Sequence, residues 1–162
     1  MAEAIISNPA FANNPISTTL VGRAADGAIM STGGETVINV QASAAIAKGE
    51  VVAWTTPTAG TPVQCVKMPT AADPRLAIGI AREAVASGGT AQIVTNGVCE
   101  VFVNAQTVAF GDNVFVPGTN AGEATCNATD PDATTIVGRL LGVVLAAKIA
   151  GTNLALAYIK QV

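Results

Sequence analysis

From Leu76 to Val116 apolar and polar positions alternate in short bursts, cut by turn-forming residues. In Val98-Cys99-Glu100-Val101-Phe102-Val103 a two-residue period puts Val98, Glu100 and Phe102 on one face and Cys99, Val101 and Val103 on the other. Glu100 is the one charge in that run, so its face is expected to reach solvent or a polar partner. Ahead of it, Ala91-Gln92-Ile93-Val94-Thr95 is rich in the β-branched residues that suit a pleated strand. Ser87-Gly88-Gly89 supplies backbone freedom for a turn, and Asn96-Gly97 is a strong two-residue hairpin signal. The pattern predicts strand, Gly-Gly turn, strand, Asn-Gly turn, strand, short loop, strand: a β meander.

The remainder of the chain from Gly34 onward repeats this pattern. Lys48-Gly49-Glu50-Val51-Val52 resembles Phe110-Gly111-Asp112-Asn113-Val114, with the glycines 62 positions apart. Gly79 and Gly142 are 63 apart, as are Gly88 and Gly151, and Val40-Gln41-Ala42 echoes Val103-Asn104-Ala105 at the same spacing. Two copies with a period near 60 make a pseudo-symmetric duplication, whereas a solenoid needs three or more repeats. Each copy reads strand, acidic turn, strand, Pro/Gly-rich loop, strand, Gly turn, strand. Glu50 and Asp112 occupy matching turn positions, where a carboxylate is expected to accept hydrogen bonds from nearby backbone. Gly79 and Gly142 fall inside strands, where glycine marks a bulge or a close backbone approach.

Two segments carry competing signals. Arg139 to Ile149 has the composition of a buried helix, but Gly142, the paired valines and the match to the first copy favour a strand. Ala42 to Lys48 has the composition for a helical turn. Short strands, turn signals and no convincing long helix predict an all-β fold. The expected architecture is a small barrel or sandwich at 33–162, built from pseudo-equivalent repeats at about 34–96 and 97–162.

Residues 1–32 differ. Asn8-Pro9, Asn14-Pro15 and Asp26-Gly27 break the segment every few residues, and Ile5, Ile6, Phe11, Ile16 and Leu20 follow no regular period. This predicts an extended N-terminal arm whose apolar groups lie on another surface. The segment has neither a basic start nor a continuous apolar stretch, so no signal peptide is expected, and folding in a cytoplasm follows. The longest apolar run, Leu140 to Ala147, is too short to span a bilayer.

Half of the 162 residues are apolar and 12% are charged, against a usual charged share of about 25%. With a mean hydropathy of +0.48, the folded chain is expected to cover apolar surface by association with itself or another protein. Eight basic against eleven acidic residues give −3, which disfavours nucleic acid and anionic membranes as partners. There is no histidine, so the usual general base near neutral pH and the Ser-His and Cys-His nucleophile pairs are missing. Cys65, Cys99 and Cys126 form no CxxC pair and read as buried reduced thiols. Asp130-Pro131-Asp132 lacks the further ligands of a calcium loop and reads as a polar turn. Arg75, Arg82 and Arg139 flank the repeated strand as solvated or rim charges. No catalytic, cofactor or metal residue is therefore nominated.

The order Ala45-Ile46-Ala47-Lys48-Gly49-Glu50-Val51-Val52, Ala77-Ile78-Gly79-Ile80-Ala81, Gly88-Gly89-Thr90-Ala91-Gln92-Ile93 with Asn96-Gly97-Val98, Phe110-Gly111-Asp112-Asn113-Val114-Phe115-Val116 and Leu141-Gly142-Val143-Val144-Leu145-Ala146-Ala147 resembles the tailed-phage head decoration, or capsid cement, proteins. The match covers about residues 40 to 160 and rests on glycines and apolar pairs. The resemblance implies a non-enzymatic virion protein on the outer capsid surface, assembled in the host cytoplasm. It further implies a β-barrel, often a homotrimer, that binds the major capsid protein and stabilises its lattice. Residues 1–32 match no motif of that family, so a capsid grip through Ile5, Ile6, Phe11, Ile16 and Leu20 is expected on physical grounds alone. The alternative is a non-enzymatic binding module such as a phage tail or fibre domain or a carbohydrate-recognition β domain. One Trp and one Tyr supply a sugar-stacking surface poorly.

Overall fold

The computed structural model describes residues 29–32, 34–57, 59–116, 118–127, 139–149 and 151–160. They form ten strands: β1 (Ile29–Thr32), β2 (Glu35–Gln41), β3 (Val51–Trp54), β4 (Cys65–Lys67), β5 (Ala77–Ala81), β6 (Thr90–Phe102), β7 (Asn113–Val116), β8 (Thr125–Asn127), β9 (Arg139–Ala146) and β10 (Leu154–Lys160). A single 3-10 turn, Pro74–Leu76, precedes β5, and no α-helix occurs among the described residues. The fold is all-β, one antiparallel sheet that curls into a half-barrel. Residues 139–146 are a strand: Gly142 and the valines outweigh the helical composition because β9 finds pairing partners on both sides, β7 and β10.

The strand order β4-β3-β5-β6-β10-β9-β7-β8 reads the same from either end once the duplication is applied. Each half pairs its first hairpin and adds the two later strands in turn, and the halves meet where β6 pairs with β10. Pseudo-equivalence reaches single hydrogen bonds. Gly49 N–H donates to Ala81 O at 2.8 Å, and Gly111 N–H to Val144 O at 2.9 Å. Ala81 N–H donates to Glu50 O at 2.9 Å, and Val144 N–H to Asp112 O at 2.8 Å. The register of β3 with β5 slips between Val52 and Ala53, and that of β7 with β9 slips between Val114 and Phe115. Gly79 pairs with Val52 and Gly142 with Val114, so both strand glycines sit beside the bulges.

The expected Asn96-Gly97 hairpin does not form. β6 runs through both residues without a break, pairing with β5 ahead of them, with β2 as far as Asn96, and with β10 from Asn96 onward. A hairpin would fold 98–102 back onto 90–95 and forfeit both long-range ladders, so the tertiary partners override the local turn preference. Gly97 instead takes φ +123 within the strand, next to the register slip at Thr36/Val37. A Cβ there would lie 2.7 Å from Glu35 Cα. One strand thus belongs to both halves.

The helical turn considered for Ala42 to Lys48 is also absent. Ala42 N–H donates to Gly89 O at 2.8 Å, and Ile46 and Val85 exchange backbone bonds of 3.0 and 2.9 Å. These cross-chain partners take the groups that a helix would need. Ala42 also bridges Cys65, which draws the end of β2 to the start of β4 and curls the first half. In the second half Ala124 N–H reaches Phe102 O at 2.9 Å.

Five turns share one design. At 47–50, 86–89, 109–112, 120–123 and 149–152 the fourth residue's N–H donates to the first residue's carbonyl. The third residue is always a glycine with φ between +76 and +89, the sign that a type II turn demands. Val51, Ala53, Met68, Ala77 and Ile80 of the first half pack with Val101, Val114, Leu141, Val144 and Ile159 of the second in one core. A second cluster, including Val52, Ile78, Ala91 and Ile93, fills the first half. β3 and β5 are therefore covered on both faces, which explains why Ala77-Ile78-Gly79-Ile80-Ala81 is a continuous apolar run. Each fully buried Ile or Leu contributes about 1.5–3 kcal/mol.

Candidate functional site

The residues nominated as a capsid grip, Ile5, Ile6, Phe11, Ile16 and Leu20, lie outside the described residues, as do Asp130, Pro131 and Asp132. The last four positions of the expected arm form β1, an edge strand on β2. The five glycines fall into three roles. Gly49 and Gly111 make turns with φ +82 and +89, and Gly97 bends the shared strand. Gly79 and Gly142 allow a close approach: a Cβ would stand 2.1 Å from Val94 O at Gly79 and 2.0 Å from Tyr158 O at Gly142.

The turn acids do what their spacing predicts. Glu50 Oε2 accepts from Ala47 N–H at 2.7 Å, and Asp112 Oδ2 from Ala109 N–H at 2.8 Å. A third acid of the same kind went unrecognised in the sequence. Glu123, buried in the second half, accepts from Asn120 N–H at 2.9 Å, from Asn120 Nδ2 at 2.6 Å and from Gln106 Nε2 at 2.7 Å. Gln106 also donates to Ala124 O and accepts from Cys126 N–H. The legible signal was the recurrence of a Gly-acid pair at 49–50, 111–112 and 122–123.

A cleft of about 340 Å³ lies between the halves, lined in part by Glu35, Lys48, Arg82, Cys99 and Glu100. Its charges pair across the joint: Lys48 Nζ lies 2.5 Å from Glu100 Oε2, and Arg82 lies 3.6 Å from Glu35. Glu100 thus meets the polar partner its exposed face called for. Burial, reinforced by Glu35 and Glu100, pushes the Cys99 thiol up to about 12, and burial with Asp112 and Glu123 does the same to Cys126. Both are protonated at neutral pH and poor nucleophiles. All three cysteines are free thiols. Arg75 bonds Asp73 in an exposed pair that holds the aspartate down to about 2. Among the described residues no three His, Cys, Asp or Glu side chains are grouped to hold a metal ion. No described helix is long and apolar enough to cross a membrane.

Surface apolar groups are the more conspicuous feature. Trp54, Val63 and Leu76 line an apolar groove of about 400 Å³ with Thr55, Thr56 and Pro57. On the second half, Val98, Tyr158 and Val143 stand side by side on neighbouring strands, all exposed. Phe110, at the tip of its turn, is 78% exposed. Such surfaces suit a protein partner better than a small polar substrate.

No family model matches the chain, and no curated protein matches it in sequence. Among solved structures, the chain is similar to the N base of the head fibre gp8.5 of bacteriophage phi29, with a TM-score of 0.52 and 16% identity. The likeness covers 78% of this chain and 94% of that one. At that identity the two share a fold.

Proposed function

We propose that the chain is a structural protein of a bacteriophage head, bound to the outer capsid surface, where it stabilises the lattice of the major capsid protein. The likeness to a phage head fibre base, spanning 94% of that chain, carries this reading. The paired charges of the cleft, the protonated thiols and the apolar outer surface support a non-enzymatic, adhesive role. The N-terminal segment supplies the grip: Ile5, Ile6, Phe11, Ile16 and Leu20 pack against shell subunits, and several chains acting together gain avidity. A partner that binds only the intact shell raises its resistance to heat.

The test adds purified chain to shells lacking it, images them by electron microscopy, and follows their heat-induced rupture. Regular density outside the shell with a raised rupture temperature supports the reading. Density without added stability reduces it to decoration, and no binding to any shell overturns it. Full-length chains carrying Ile6→Asp and Phe11→Asp should lose binding if the arm is the grip. A second reading, the anchoring base of a fibre, is favoured by the nature of the structural neighbour. Filaments rising from the same density would select it.

A further inference from the structure

Asn96-Gly97 is the one Asn-Gly step in the chain. Such a step carries chemistry of its own. Glycine leaves the main-chain nitrogen after the asparagine unhindered, so that nitrogen can attack the side-chain amide carbon. At a hairpin tip or in an unfolded chain nothing opposes the reaction. Here the sheet holds both residues.

The ladder fixes the attacking nitrogen. β6 and β10 pair without a register slip from Phe102–Leu154 to Asn96–Lys160. Val103 N–H donates to Asn153 O at 2.8 Å, while Phe102 gives its N–H to Gly49 and its carbonyl to Ala124. The alternation of an antiparallel ladder then makes Val101, Cys99 and Gly97 the hydrogen-bonded positions. The Gly97 N–H is therefore engaged with Ile159. Ring closure also requires Asn96 Cβ to eclipse that nitrogen about the Cα–C bond, a rotation outside the β region that a strand residue occupies. Thr36 on β2 and Lys160 on β10 both pair with Asn96 and oppose that rotation. The target amide is held as well, since Tyr158 Oη donates to Asn96 Oδ1 at 3.3 Å. Gly97 itself is buried, and a Cβ placed on it would stand 2.7 Å from Glu35 Cα.

We propose that Asn96 is a modification site gated by folding: it keeps its amide in the sheet and deamidates once β6 is released from its neighbours. The Gly97 nitrogen bonds to Asn96 Cγ, the side-chain nitrogen leaves as ammonia with the proton from Gly97, and a cyclic imide remains. Water then adds to either ring carbonyl and opens it to aspartate or isoaspartate, with no change of oxidation state. Opening to aspartate leaves the main chain unaltered and sets a carboxylate opposite Lys160. Opening to isoaspartate inserts an extra carbon into the main chain. It does so where β6 passes from its β2 and β5 ladders to its β10 ladder. The two parts of the strand then cannot both keep register, and register decides which side chains face the core. Isoaspartate at 96 thus bars the halves from returning to one sheet, and a long unfolding episode becomes irreversible. This inference rests on the shared strand and is independent of capsid attachment.

The test holds full-length wild type and Asn96→Gln, whose longer side chain cyclises far more slowly, at pH 8 with a thiol reductant. One portion of each stays native and the other is kept in guanidinium. Peptide mass analysis follows the amide at 96, fragmentation separates isoaspartate from aspartate, and circular dichroism after dilution measures refolding. In the folded protein the reaction waits on the opening of β6, so it should run slower than in guanidinium by roughly tenfold or more. The refolding yield of wild type should fall as isoaspartate accumulates, and that of Asn96→Gln should hold. If Asn96→Gln fails to fold, Asn96→Ser takes its place. Equal deamidation rates in folded and unfolded chains overturn the inference, as does an amide that survives in guanidinium. So does recovery of the native sheet by chains that carry isoaspartate.

Discussion

Phe102 donates its backbone N–H to the carbonyl oxygen of Gly49 at 2.8 Å, and this one bond ties the turn of the first half to the strand that both halves share. Gly49 sits beneath Leu154, while its counterpart Gly111 faces open space, although both hold φ above +80. Gly111→Ala should therefore cost about 1–2 kcal/mol, the left-handed backbone penalty alone. Gly49→Ala should cost that and the displacement of Leu154. Urea midpoints of the two variants check the difference, and equal losses would mean that the two turns share one environment.

Gly79→Ala and Gly142→Ala should be the most damaging single changes in the sheet. Each new methyl would stand about 2 Å from a carbonyl oxygen of the neighbouring strand, and backbone cannot yield as a flexible side chain does. Losses of about 3 kcal/mol or more are expected at both sites, above the usual range for overpacking. Thermal melts of the paired variants test whether the halves respond alike.

Glu123 anchors a buried network of three accepted hydrogen bonds, whereas Asp112, also buried, holds one bond in a turn whose residues 109–111 are exposed. Glu123→Ala removes three accepted hydrogen bonds and strands their donors, which should cost about 3 kcal/mol or more. Asp112→Ala removes the single bond from Ala109 N–H and should cost about 1 kcal/mol. Denaturant titration ranks the two, and the reverse order would contradict the geometry.

Alkaline pH should destabilise the fold through its thiols. Cys99 and Cys126 titrate near 12 when folded and near 9 when unfolded, so above pH 9 the folded state holds protons that the unfolded chain releases. Their contribution is complete below pH 9 and is lost as pH rises toward 12, at most by about 1.4 kcal/mol per pH unit for each thiol. A Cys99→Ala, Cys126→Ala chain should show a flatter decline in stability between pH 9 and 11 than wild type. Native thiols should react slowly with an aromatic disulfide reagent at pH 8 and at once after unfolding.

The duplication, the strand glycines and the turn acids were legible in the sequence because their causes are local. A type II turn is decided by a glycine at its third position, and a carboxylate at the fourth reaches back over three residues whatever lies beyond. Spacing alone then aligned Gly49 with Gly111 and Gly79 with Gly142. Asn96-Gly97 misled for the converse reason. Its dipeptide favours a hairpin, yet β2, β5 and β10 offered ladders on either side whose combined hydrogen bonds exceed what one tight turn provides. Nor did the sequence distinguish Phe110 from Lys48 as open and seated tips of the same turn. That difference arises when β6 joins β10 and the second half folds over the cross-strand row Val37, Val94, Ile80 and Val51, burying one copy's face and leaving the other's exposed. Burial depends on which surfaces the closed sheet brings together, and that is decided by pairings as far as 64 residues apart in the chain, Lys160 with Asn96, rather than by neighbours in it.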